Sequence, residues 1–181
     1  MPRPCSLLVP PITHSKIVAH YVVHHRPRLA TELAWFAQKQ PISTAISRVA
    51  LARGPNNERL SHQRRLYKTV IPAASLQLLA GSARLFAART FADLYFEVEA
   101  SIGNIFGAGA LYIYDTALRL GAFRGLQPNE VYLQAGAREG AKQVLSGVPG
   151  RSVPLSQFPT AFHSLAPHEM ENLLCLYHEC I

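Results

Sequence analysis

The sequence predicts an all-α protein. Three observations carry that prediction. Every strong apolar periodicity in the chain has helical spacing, and clusters of glycine, proline and asparagine fall between the periodic runs rather than inside them. Hydrophobic residues make up 49% of the 181 and charged residues only 16%, enough to build a core and too apolar for wholesale disorder. Length fits one domain. The expected layout is an extended, proline-rich segment over residues 1–13 and a single compact helical domain over residues 14–181, with no internal repeat.

The elements follow in order. Residues 14–25 alternate histidines (His14, His20, His24, His25) with apolar positions and predict a short helix or strand. Residues 28–38 predict a helix with Leu29, Leu33 and Phe36 on one side. Residues 42–53 place Ile42, Ala45, Ile46, Val49 and Ala50 at i, i+3, i+4, i+7 and i+8, an amphipathic helix. Gly54-Pro55-Asn56-Asn57 ends it. A helix is expected over 61–70, then a short one over 72–79 closed by Gly81, and a longer one over 83–100. Residues 110–122 and 130–145 predict two more helices, and Pro167 opens a last one running to His178.

Between residues 100 and 110 the chain turns through Phe106-Gly107-Ala108-Gly109. Two glycines permit positive φ and leave the backbone uncovered. A new apolar helix begins at once, so its unbonded N–H groups and positive dipole end face outward, a surface suited to a phosphate.

This run, over about residues 92–122, resembles the helix-hairpin-helix motif: an apolar residue, glycine, an apolar residue, glycine, then a helix carrying small residues. The resemblance implies a DNA-glycosylase-like fold of the endonuclease III type and a grip on DNA backbone phosphates. Gly107, Ala108, Gly109 and Ala110 are the positions it assigns to that grip. The same superfamily includes base-excision glycosylases, which use a carboxylate and sometimes a lysine nucleophile. Their lysine position falls near Leu111 and their aspartate position near residues 129–132. Neither residue type is present there, and Glu130 is the one carboxylate close by.

Charge points the same way. The net charge is +7, which favours a polyanionic partner, nucleic acid first. Arginine supplies 14 of the 18 basic residues, and arginine binds phosphate in bidentate fashion. The densest basic region holds Arg59, His62, Arg64, Arg65 and Lys68, with Arg48 and Arg53 upstream. Set on a helix, His62, Arg65 and Arg59 would project together as a phosphate-contacting face; a solvated charged face is the plainer reading. Arg138 lies on the polar side of the 130–145 helix.

Only two aspartates occur, Asp93 and Asp115. Asp115 sits in an otherwise apolar helix, where a carboxylate must be paired or hydrogen-bonded. It is a catalytic candidate with Glu130, or the partner of Arg119 one turn on. The expected function is DNA binding with little sequence specificity; the alternatives are an active DNA glycosylase and an all-α protein-interaction module with a protein partner.

The three cysteines, Cys5, Cys175 and Cys180, are an odd and sparse set that does not look like a disulfide framework, which predicts a cytoplasmic location. Two C-terminal cysteines are too few for a four-cysteine iron–sulfur cluster, and a zinc site from Cys175, His178 and Cys180 would need an outside ligand. His20 and His24 stand at i, i+4 with no acidic neighbour. No metal or cofactor is expected. No stretch is long enough to span a bilayer, and the N-terminal apolar run is too short and too proline-rich for a signal peptide.

Overall fold

The structure, a computed structural model, describes residues 4–8, 10–60, 63, 66–147 and 150–181. The protein is all-α: helices dominate, and the described strands form one small two-stranded sheet. The chain divides into two compact units. One contains residues 31–127, the other residues 1–30 and 128–181. We call them the hairpin unit and the terminal unit.

In the hairpin unit, α2 (Arg26–Phe36) enters from the other side of the boundary and is followed by α3 (Ile42–Leu51). Four of the apolar positions predicted for α3 are buried, Ala45, Ile46, Val49 and Ala50, while Ile42 at the helix start is exposed. A tight turn over Gly54 to Asn57 follows; Asn57 takes φ +60 and the Asn57 N–H donates to the Gly54 carbonyl at 3.0 Å. α4 (Val70–Ala80) packs on α3.

The single helix expected over 83–100 is two, α5 (Ser82–Ala87) and α6 (Phe91–Ile102). A capping box breaks it. The Thr90 hydroxyl accepts from the Asp93 N–H, and the Asp93 carboxylate accepts from the Thr90 N–H, each at 3.1 Å. This pair satisfies orphan donors at a helix start and outweighs the apolar periodicity running across it. α7 (Ala110–Arg124) packs on α6 and α3, and every residue from Tyr112 to Gly121 is buried. A helix buried all round is the centre of its unit.

The terminal unit contains α1 (His14–His24), α8 (Ala135–Val144) and α9 (Pro167–Tyr177). Its core gathers Ile17, Val18 and Tyr21 from α1 with Leu173, Leu174 and Tyr177 from α9 and Val131, Leu133 and Phe162 between them. α8 lies close against α9: a Cβ on Gly140 would stand 2.6 Å from the Leu174 carbonyl oxygen, so only glycine permits this approach.

The helix expected over 130–145 begins late. Val131–Tyr132 form β1, which pairs antiparallel with β2 (Ser152–Val153) in the register Val131↔Val153 and Tyr132↔Ser152. β-Branched and aromatic side chains suit a pleated pair, and the partner strand lies too far along the chain for a local periodicity to reveal it. Near the N-terminus, Pro4–Leu7 form a short 3-10 helix where an extended segment was expected.

A disulfide joins Cys5 to Cys180, with their Cα atoms 5.8 Å apart. This corrects the expectation that the cysteines form no disulfide framework, while Cys175 takes no part in a disulfide. The N-terminal 3-10 helix docks on α9, which brings the two ends of the chain together. A pair separated by 175 residues leaves no spacing signature in the sequence. Disulfides are rare in a reducing cytoplasm, so the bond removes the ground on which a cytoplasmic location was expected.

Candidate nucleic-acid interface

The hairpin is built by backbone bonds. Past the end of α6 the Ile105 N–H donates to the Ile102 carbonyl at 3.1 Å, and the Ala108 N–H closes a four-residue turn on the Ile105 carbonyl at 2.9 Å. Gly107 is the third residue of that turn and takes φ +92, the place where a type II turn requires positive φ. A Cβ there would also lie 2.8 Å from Cδ2 of Tyr67 and 3.1 Å from Cγ2 of Val70. Gly107 is therefore required twice, by its backbone and by its neighbours. Ala108 is buried and anchors the loop.

Gly109 caps α7 at φ −69, ψ 166, with no side chain to serve the helix start. Its carbonyl accepts from the Tyr112 and Ile113 N–H groups at 2.9 and 3.1 Å. The Ala110 and Leu111 N–H groups belong to the first turn, which has no acceptor within the helix. Gly109 and Ala110 are exposed, and a Cβ on Gly109 would meet nothing within 4 Å. The positive end of α7 is thus open to an anion.

Among the described residues, the predicted basic residues have different settings. Lys68 is exposed and follows Tyr67, which packs on Gly107, so it stands beside the hairpin. Arg59 is half-buried and pairs its backbone with Arg53. His62, Arg64 and Arg65 lie outside the described residues. The helix expected over 61–70 is not formed by its described part: Leu66 to Thr69 run through turns, with the Val70 N–H donating to the Tyr67 carbonyl at 3.1 Å, and α4 starts only at Val70. Gln63, buried in the middle of that basic run, donates its side-chain amide to Asp115, and this inward tether opposes a regular polar face. Of the upstream arginines, Arg48 lies 4.2 Å from the Trp35 ring centroid and Arg53 donates to the Asn57 carbonyl. Arg138 belongs to the terminal unit, where it donates to the Gly150 carbonyl at 2.9 Å.

Two aromatic residues to which the motif assigned no contact, Phe106 within it and Tyr67 outside it, stand at the hairpin. Phe106 is 89% exposed and Tyr67 61%. Their rings lie 6.1 Å apart between centroids with planes 20° from parallel. The available signal was an aromatic directly before the first hairpin glycine and another inside the basic run.

Asp115 is only 7% exposed. Beyond the Gln63 amide it accepts from Arg119 Nη2 at 3.3 Å, and Arg119 in turn reaches Glu32 at 3.0 Å. Arg119 is itself 4% exposed and lies 5.5 Å from the Phe36 ring centroid. One buried guanidinium between two carboxylates is a pinning network for α7 and α2; its proton acceptors are occupied from inside the protein. Glu130, in the terminal unit, accepts from the Ser152 hydroxyl and fastens the small sheet. An open pocket of about 290 Å³ lies in the hairpin unit, lined by Trp35, Ser47, Arg48, Leu51, Arg53 and Asn57 among others. None of its lining residues is a carboxylate or belongs to the Gly107–Gly109 hairpin.

The terminal unit concentrates the histidines. His20 Nδ1 lies 2.6 Å from the Tyr177 hydroxyl, and the His20 ring is 4.4 Å from that of His24 and 5.9 Å from that of His25. Burial lowers the pKa of His20, and the neighbouring His24 lowers it further. Burial first, then His20, His24 and Arg28, lower that of His25. Among the described residues no group of three or more His, Cys, Asp or Glu is placed to hold a metal. Cys180 is committed to its disulfide, and His178 Nδ1 sits 2.8 Å from the Cys175 carbonyl. No helix among the described residues is long and apolar enough to cross a membrane.

No family model matches the chain, and neither a curated protein nor a solved structure is significantly similar to it.

Proposed function

We propose that this protein binds DNA by gripping backbone phosphates with a helix-hairpin-helix element and reads little sequence. The observation that carries the proposal is the start of α7: an exposed glycine hairpin whose second glycine leaves open space where a side chain would stand, over helix-end amides with no intrahelical acceptor. Lys68 beside it and the net charge of +7 supply the long-range attraction. Phosphates position a protein on DNA without reporting base identity, so binding varies little with sequence and weakens steeply as salt rises. No observation favours base excision as a second reading, since Asp115 is held by Arg119 and Gln63 and Glu130 by Ser152.

Gly109→Asp separates binding from folding. Asp is at least as good an N-cap as Gly, and its charge suits the helix start. The backbone at φ −69, ψ 166 and the open space at Cβ accept it. The expected outcome is an unchanged or slightly raised melting temperature with DNA affinity reduced about tenfold or more by repulsion of the phosphate. A mobility-shift titration at low salt measures it. Unaltered affinity in this variant, or no shift with the unmodified protein, would overturn the proposal.

A further inference from the structure

We infer that the Tyr67–Phe106 pair is a stacking platform for unpaired bases, so that the DNA this hairpin prefers is single-stranded. The inference rests on the DNA-binding reading and names its substrate class. Phe106 is the second residue of the turn closed between Ile105 and Ala108, so the turn fixes its backbone while its ring stays almost wholly in water. Tyr67 is seated on the bare Cα of Gly107, the residue that also sets the turn. The two rings are thereby held nearly parallel, in an offset stack. An isolated exposed aromatic is ordinary, but two held together are a preformed π surface.

The surroundings of the pair choose the occupant. Lys68 adjoins Tyr67 in the chain, and the open amides of Ala110 and Leu111 lie a few residues beyond Phe106. Aromatic faces interleaved with phosphate-binding groups match a strand that offers bases and phosphates in alternation. A protein or lipid partner could also offer an anion to the amides, but neither repeats a flat π face and a phosphate along one chain as a nucleic-acid strand does. In a duplex the base faces are already stacked on each other, so the platform has nothing to receive; in a single strand every base offers a free face.

The test uses the full chain and fluorescence anisotropy with an end-labelled oligonucleotide of about 20 nucleotides, single-stranded or annealed to its complement. Phe106→Ala is expected to lose about tenfold in single-strand affinity, with the salt dependence unchanged because no phosphate contact is removed. Duplex affinity should change less than about twofold. Phe106→Trp should restore single-strand binding, while Phe106→Leu, which keeps apolar area but no π face, should not. Because the ring is exposed, melting temperatures should match the unmodified protein throughout. Equal losses on both DNA forms, full affinity in the leucine variant, or a role for Phe106 only in self-association or in binding phosphatidylserine vesicles would each overturn the inference. Normal duplex binding with a harmless Phe106→Ala overturns this inference alone; no binding of either DNA by the unmodified protein overturns the DNA-binding reading itself.

Discussion

The two units spend their polar groups differently. In the terminal unit they hold the unit together: Cys5 is bonded to Cys180, Arg26 pairs with Glu169 at 2.8 Å, Glu130 takes the Ser152 hydroxyl, and His20 meets the Tyr177 hydroxyl. The hairpin unit does the same deep inside, through Asp115, Arg119 and Glu32. At Gly107 to Ala110 it does the opposite, leaving amides and two aromatic rings to solvent. The contrast separates residues that make a surface rigid from residues that make it available. The polar residues most conspicuous in the sequence, Asp115 above all, turn out to belong to the first kind.

The contrast is sharpened most by removing the buried charge. Asp115→Asn leaves the buried Arg119 short of one carboxylate. Breaking a buried pair from one side costs about 3–5 kcal/mol, which lowers the melting temperature of a chain this size by about 6–20 °C. Hydrogen exchange should accelerate across residues 31–127 while the core amides of α9 stay protected. Equal loosening of both units would show that the network is not private to the hairpin unit.

A smaller effect is expected from Cys5→Ser, at about 2–4 kcal/mol if the bond acts by restricting the unfolded chain. Exchange should now quicken in the terminal unit, and DNA affinity should hold within about twofold, since no hairpin residue is touched. Parallel melts with and without a reductant give the same comparison in the unmodified protein. Loss of DNA binding on reduction would join what the comparison keeps apart.

The mildest probe is pH. His20, His25 and His168 have lowered pKa values, chiefly from burial, and all three lie in the terminal unit. Near pH 7 they are neutral in both folded and unfolded chains. As pH falls below about 6.5 the unfolded chain takes up protons that the fold resists, so stability declines until the lowered folded values are passed. Melting temperature should therefore drop between about pH 7.5 and 5.5, and His168→Gln should flatten that drop. A stability that rises on acidification would contradict the burial of these rings in neutral form.

Much of the fold was legible because helical periodicity is a local property. The buried face of α3, the start of α9 at Pro167 and the α6–α7 hairpin can all be read from residue spacing. The errors fall where a local signal met a stronger one. A capping box at Thr90 and Asp93 split a periodic run, and pairing of Val131 and Tyr132 with Ser152 and Val153 delayed a helix. For the site, the glycines were visible because Gly107 and Gly109 have no apolar reason to stand there. Tyr67 was not, since its place on Gly107 joins positions 40 residues apart.

By itself the sequence determined the helical class, the net positive charge and the glycine hairpin, each set by composition or by spacing over a few residues. Tertiary structure alone decided that Cys5 meets Cys180, that Asp115 faces Arg119 and Gln63 from inside, and that Tyr67 and Phe106 stand together at the open end of α7. The physical reason is the same in all three. Pairing, burial and exposure depend on which distant segments the packed core brings alongside, and no local pattern encodes that.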